Sequence, residues 1–99
     1  MARRKRKPQS VLPRSVTIGG HVIRIETDDG LGERAGCYGQ YHDSRNLIVV
    51  DSRFADSLQS ETLLHEIVEA INAKAELRLR HYQIQTLALL LHQALTTAQ

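Results

Sequence analysis

Near residue 52 the hydrophobic pattern switches from short β-rich runs to a helical repeat, and this switch limits the folds open to the chain. Ahead of it lie Ser15-Val16-Thr17-Ile18 and His21-Val22-Ile23-Arg24-Ile25, separated by Gly19-Gly20. Gly-Gly predicts a two-residue hairpin because both positions accept positive φ. Asp28 to Gly36 lacks periodicity and reads as a loop, Cys37 to Tyr41 as a short strand, and His42 to Arg45 as a turn. Asn46 to Asp51 is the strongest strand, and its unbroken apolar run predicts contact on both faces. Beyond the switch, Leu64, Ile67, Val68, Ile71 and Ala75 keep i, i+3, i+4, i+7 spacing. Asp56 is the expected N-cap of this helix, with Gln59 in the capping-box position. Ile84, Leu87, Ala88, Leu91 and Leu95 mark a second amphipathic helix from about His81 to Thr96, joined to the first by Glu76 to Arg80. The order β-β-β-β-α-α predicts an α+β domain: a small antiparallel sheet of about four strands followed by two packed helices.

Ninety-nine residues suffice for one domain with a modest core, built from Leu, Ile, Val and Ala because Trp is absent and Phe occurs once. The single Cys37 has no partner within the chain for a disulfide, fits a reducing compartment, and reads as a small core residue. No apolar run approaches the ~18–20 residues needed to cross a bilayer, so no membrane role is expected. Charge is unevenly spread. Of 13 Lys and Arg, five are Arg3, Arg4, Lys5, Arg6 and Lys7; the other 8 face 11 acidic residues, so a mildly acidic body carries a cationic arm. Residues 1–14, with Pro8 and Pro13, are expected to form a disordered arm, and 15–99 the folded domain. The arm could neutralise about five phosphates in sequence-independent nucleic-acid binding, or simply be a solvated terminus. No aromatic residues interleave with it, so base readout is not expected.

Chemistry concentrates at His65-Glu66-Ile67-Val68-Glu69, one residue short of the H-E-x-x-H zinc motif. On a helix, positions 65 and 69 lie one turn apart and can grip one ion, with Glu66 beside them to act on a water. With His65 at 0° on a helical wheel, Glu69 falls at about 40°, Asn72 at about −20° and Glu66 at about 100°. This arc places all four on the side away from the core, which equally describes a solvated helix face. His21 and His42 read as surface residues, and the three tyrosines as packing residues unless one faces the ion.

The stretch Glu61-Thr62-Leu63-Leu64-His65-Glu66-Ile67-Val68-Glu69-Ala70-Ile71-Asn72 resembles the active helix of zincin metallopeptidases, and more narrowly small phage and prophage proteins related to ImmA/IrrE-type peptidases. Tyr41 to Asp51 resembles the turn and edge strand that precede that helix, and Glu76 to Ala88 the helix that follows. The resemblance spans about residues 15–95 and implies a minimal zincin fold binding Zn2+. His65 and Glu69 would be ligands, with Glu69 where the peptidases carry His, and Glu66 the general base. His81 is the implied third ligand, because it resembles a His of phage variants that share Glu-Ala-Ile-Asn. The set has the two-His, one-carboxylate content of thermolysin-like sites in a permuted order. In an antiparallel helix pair, Glu69 should reach His81 more easily than His65 does. A phage-type zinc metallopeptidase acting on a peptide or protein in the bacterial cytoplasm is the expected function. The strand Asn46 to Asp51 would receive the substrate at an open edge. The alternative is a catalytically inactive virion-associated or interaction protein of the same fold, contacting phage or host proteins, or nucleic acid through the arm. Leu89 and Leu90 widen the second helix's apolar surface beyond one stripe, as core or as an interface.

Overall fold

The computed structural model describes residues 12–99. Strand β1 (Ser15–Ile18) and strand β2 (His21–Asp28) form the expected hairpin. Gly19 and Gly20 sit at φ of 59° and 82°, the two positive angles that a tight hairpin turn requires. A five-residue helix, α1 (Leu31–Ala35), follows, then strand β3 (Gly39–His42), a 3-10 turn over Asp43–Arg45, and strand β4 (Leu47–Asp51). Two helices complete the chain: α2 (Asp56–Ala75) and α3 (His81–Thr97).

The α+β architecture with four strands and two packed helices is as expected, but the sheet is mixed rather than wholly antiparallel. Strand order is β1-β2-β4-β3, and β4 lies parallel to β2. Parallel pairing needs a crossover of a dozen or more residues, and the stretch from Asp28 to Leu47, carrying α1 and β3, supplies it. The strand with the most continuous apolar run takes the central place: Leu47, Ile48, Val50 and Asp51 are all buried. β4 therefore has no open edge to offer. That position belongs to β3, beside α2.

Ile23, Ile25, Ile48 and Val50 pack on Leu63 and Ala70 of α2 to form the main core. Val68, Ile84 and Ala88 join the two helices in a second cluster. Of the five apolar positions expected to line α3 against the core, only Ile84 and Ala88 are buried; Leu87, Leu91 and Leu95 are exposed, as are Leu89 and Leu90. Leu12 packs against the core, and Ile25 N donates to Arg14 O at 2.8 Å, so residues 12–14 belong to the body rather than to the arm. Arg3, Arg4, Lys5, Arg6 and Lys7 lie outside the described residues.

Two local expectations fail for identifiable reasons. The Asp28–Gly36 segment is not all loop, because the buried Asp51 carboxylate accepts from Gly32 N at 2.7 Å and fastens α1 to the end of β4. Asp51 also accepts from Arg53 N, and these bonds hold its carboxyl below the usual range. At the start of α2, the N-cap is Ala55, and no side chain caps it. Asp56 is instead the first helical residue, favourable at the positive end of the helix dipole. Gln59 turns back and donates to Ser52 O and Phe54 O, tying down the loop before the helix.

Candidate metal centre

Three donors meet where α2 faces the start of α3. One ligand atom from each of His65, Glu69 and His81 lies within 4.8 Å of the other two. His65 Nε2 stands 3.4 Å from Glu69 Oε2. Donors bound tetrahedrally at zinc distances of about 2.0–2.1 Å stand about 3.3 Å apart. The first pair already has that spacing, and His81 needs a shift of at most about 1.5 Å, within a rotamer change of an exposed side chain. The rings of His65 and His81 are 5.5 Å apart between centroids, so His81 reaches both partners and not Glu69 alone.

The loop between the helices aims His81. Glu76 and Arg78 both adopt left-handed backbone angles, at φ of 54° and 61°. Asn72 ties this turn down twice: its carbonyl accepts from Leu77 N, and its side-chain Oδ1 accepts from Leu79 N at 2.8 Å. Helix α3 then starts with Gln83 Oε1 accepting from Arg80 N. Asn72, placed by helical phase beside the ligands, thus acts as a brace for the loop that carries one of them.

Glu66 departs most from the expectation of a helix face turned away from the core. It is 8 % exposed, because β3 lies across its flank of α2. A Cβ on Gly39 would stand 2.6 Å from Thr62 Cγ2 and 3.1 Å from Glu66 Oε2, so only glycine lets the strand come this close. No hydrogen-bond or ion-pair partner of Glu66 is seen among the described residues. Desolvation, with a smaller contribution from the Glu69 charge, pushes its carboxyl up to about 7.

His65, Glu66, Glu69 and His81 all line one open cavity of about 470 Å3 between β3, α2 and α3. Cys37, Tyr38, Leu58, Glu61 and Leu89 also line it, Leu58 and Glu61 from the first turns of α2. Cys37 is therefore a half-buried cavity residue rather than a core one. Tyr38 packs at a tilt against Phe54, with centroids 4.6 Å apart. Tyr41 donates its hydroxyl to Asp43, which is also bound by Lys74, and Tyr82 is exposed outside the cavity. Sequence reasoning assigned no role to Leu58 or Glu61. The signal for Glu61 is its i−4 spacing from His65, which puts it on the same helix stripe.

β3 supplies the cavity's open backbone. Asp51 N donates to Tyr38 O at 2.8 Å, and the register continues one for one from Gly39↔Val50. Antiparallel ladders alternate, so Gly39 and Tyr41 turn their N–H and C=O groups to the outer edge. Comparison of the chain with protein-family models, with characterised proteins and with solved structures yields no match.

Proposed function

We propose that the chain is a minimal zinc-dependent peptidase, similar to the small phage relatives of ImmA/IrrE-type enzymes, with His65, Glu69 and His81 as ligands. The observation that carries this reading is the convergence of three donors from two helices beside a buried carboxylate, unpartnered among the described residues, in one open cavity. A solvated helix face predicts neither the burial of Glu66 nor the arrival of His81. Two imidazoles and one carboxylate are a donor set zinc accepts, leaving a fourth position open. When bound there, zinc supplies Lewis acidity and lowers the pKa of water.

The remaining chemistry belongs to the chain. Glu66, raised to about 7, is suited to take a proton from water onto its carboxylate near neutral pH and to return it to the departing amine. The open edge of β3 offers Gly39 and Tyr41 backbone groups to an extended peptide, which would lie along the cavity by strand addition.

Elemental analysis of protein purified without a His-tag or chelator tests the reading. About one zinc per chain is expected, lost in both His65→Ala and Glu69→Ala, while Glu66→Gln retains zinc and loses peptide hydrolysis. Zinc-free protein overturns the proposal. The exposed leucines of α3 favour a second reading, an interaction protein that keeps the fold and uses metal structurally, if at all. Stoichiometric zinc together with wild-type behaviour of Glu66→Gln would select it.

A further inference from the structure

We infer that Glu61 selects substrates with a Lys or Arg side chain just C-terminal to the cleaved bond, an inference that rests on the peptidase reading above. Glu61, His65 and Glu69 form an i, i+4, i+8 stripe of α2 along the cavity floor. At 1.5 Å rise per residue, Glu61 lies about 6 Å beyond His65 toward the start of the helix. The proposed mechanism gives Glu69 to the ion and Glu66 to the proton. Glu61 has neither task, is half-buried, and shows no ion pair or hydrogen bond among the described residues. Among the described residues, the cavity lining contains no Lys or Arg to neutralise it.

A second feature of the same end specifies the shape of the cation. Leu58, Ala88 and Leu89 line the cavity with Glu61. Lys and Arg lay a hydrocarbon stem along apolar surface and keep the charged head for a polar partner, so an apolar wall ending in one carboxylate suits them. A short ammonium or metal ion would leave that wall uncovered.

Strand direction places this side chain within the substrate. β3 and α2 run the same way: Gly39 faces Thr62 and Glu66, while Asp43, just past the strand, is bound to Lys74 further along the helix. A peptide added antiparallel to β3 therefore runs with its C-terminal part toward Glu61. Extended chain advances about 3.3 Å per residue, so Glu61 meets the first or second residue after the cleaved bond. A free α-amine would lie at the opposite end of the cavity and cannot be the cation recognised.

Hydroxamate-headed tripeptides test this on the zinc-loaded full chain, because the hydroxamate anchors at the ion and sends the following residues toward Glu61. Probes carry Lys, norleucine or Glu at the second residue, and dissociation constants are read by titration calorimetry. The wild-type protein is expected to bind the Lys probe at least tenfold more tightly than the norleucine probe, and the Glu probe most weakly. In Glu61→Gln the Lys-to-norleucine ratio should fall to near one with one zinc still bound, and Glu61→Lys should reverse the Lys-to-Glu order. Equal wild-type affinities, or a Lys preference that survives Glu61→Gln, overturn the assignment of Glu61 alone. Failure of every probe to bind in a zinc-dependent way overturns the metal site and this inference with it.

Discussion

Replacing Glu66 with Gln should make the metal-free protein progressively more stable relative to wild type as pH rises from 4 to 8, although it removes the proposed general base. The folded-state pKa of about 7 lies above the ordinary 4.5 of a glutamate. Between these values the native state holds a proton that the unfolded chain has released, so stability falls as pH rises through that window. Below about 4.5 both states are protonated and the carboxyl costs nothing; above about 7 both are ionised and the full cost is present. The interval between 4.5 and about 7 corresponds to about 3 kcal/mol. Glutamine does not titrate, so the stability difference between Glu66→Gln and wild type should grow by about 3 kcal/mol from pH 4 to pH 8. Any fixed cost of burying an amide is the same at both ends and cancels from that growth. Urea unfolding of chelator-treated protein, read by far-ultraviolet circular dichroism at intervals across this range, measures it. Two parallel curves of stability against pH would refute the claim that this carboxylate is held dry against the sheet edge.

Gly39→Ala puts a Cβ 2.6 Å from Thr62 Cγ2, and either β3 or α2 must yield. Overpacking of this kind costs about 1–3 kcal/mol, visible in the midpoint of the same urea transition; an unchanged midpoint would mean that the strand does not lie so close. Asn72→Ala removes the side-chain acceptor of Leu79 N and frees the loop before His81. Zinc affinity should fall about 10-fold or more, as for other residues that orient metal ligands, though Asn72 is not itself a ligand. A competition titration with a chromophoric chelator reads this, and wild-type affinity would dismiss the bracing role.

Much of the fold was legible because it rests on local signals. Gly19-Gly20 required only positive φ, and the apolar run of β4 reported burial on both faces without reference to any partner. The limits of α2 and α3 followed from periodicity and a five-residue break. What escaped depends on contacts distant in sequence. Nothing in residues 31–35 announces a helix, since its fastening to Asp51 spans nineteen positions. Parallel pairing of β2 with β4 was hidden because β3, though earlier in the chain, is displaced to the edge. The candidate site divides in the same way. His65 and Glu69 came from helical spacing, whereas His81 came through the family resemblance, since no spacing rule links it to the motif.

The displacement of β3 to the edge is also what allows one helix to serve two purposes. α2 must bury Leu63 and Ala70 under the sheet, and it must present His65 and Glu69 to a cavity. Had β4 been the edge strand, its fully apolar face would have covered this flank and demanded apolar partners from the helix. β3 is shorter and more polar, and at Gly39 it has no side chain at all. It can therefore lie over Glu66 closely enough to exclude most water without supplying a partner, while its outer backbone groups have none among the described residues. Among the described residues, a carboxylate without counter-charge and a strand with one edge unpaired are each unfavourable for the fold alone. Their occurrence at the same cavity, beside three metal-type donors, is the pattern expected when stability is given up locally for chemistry.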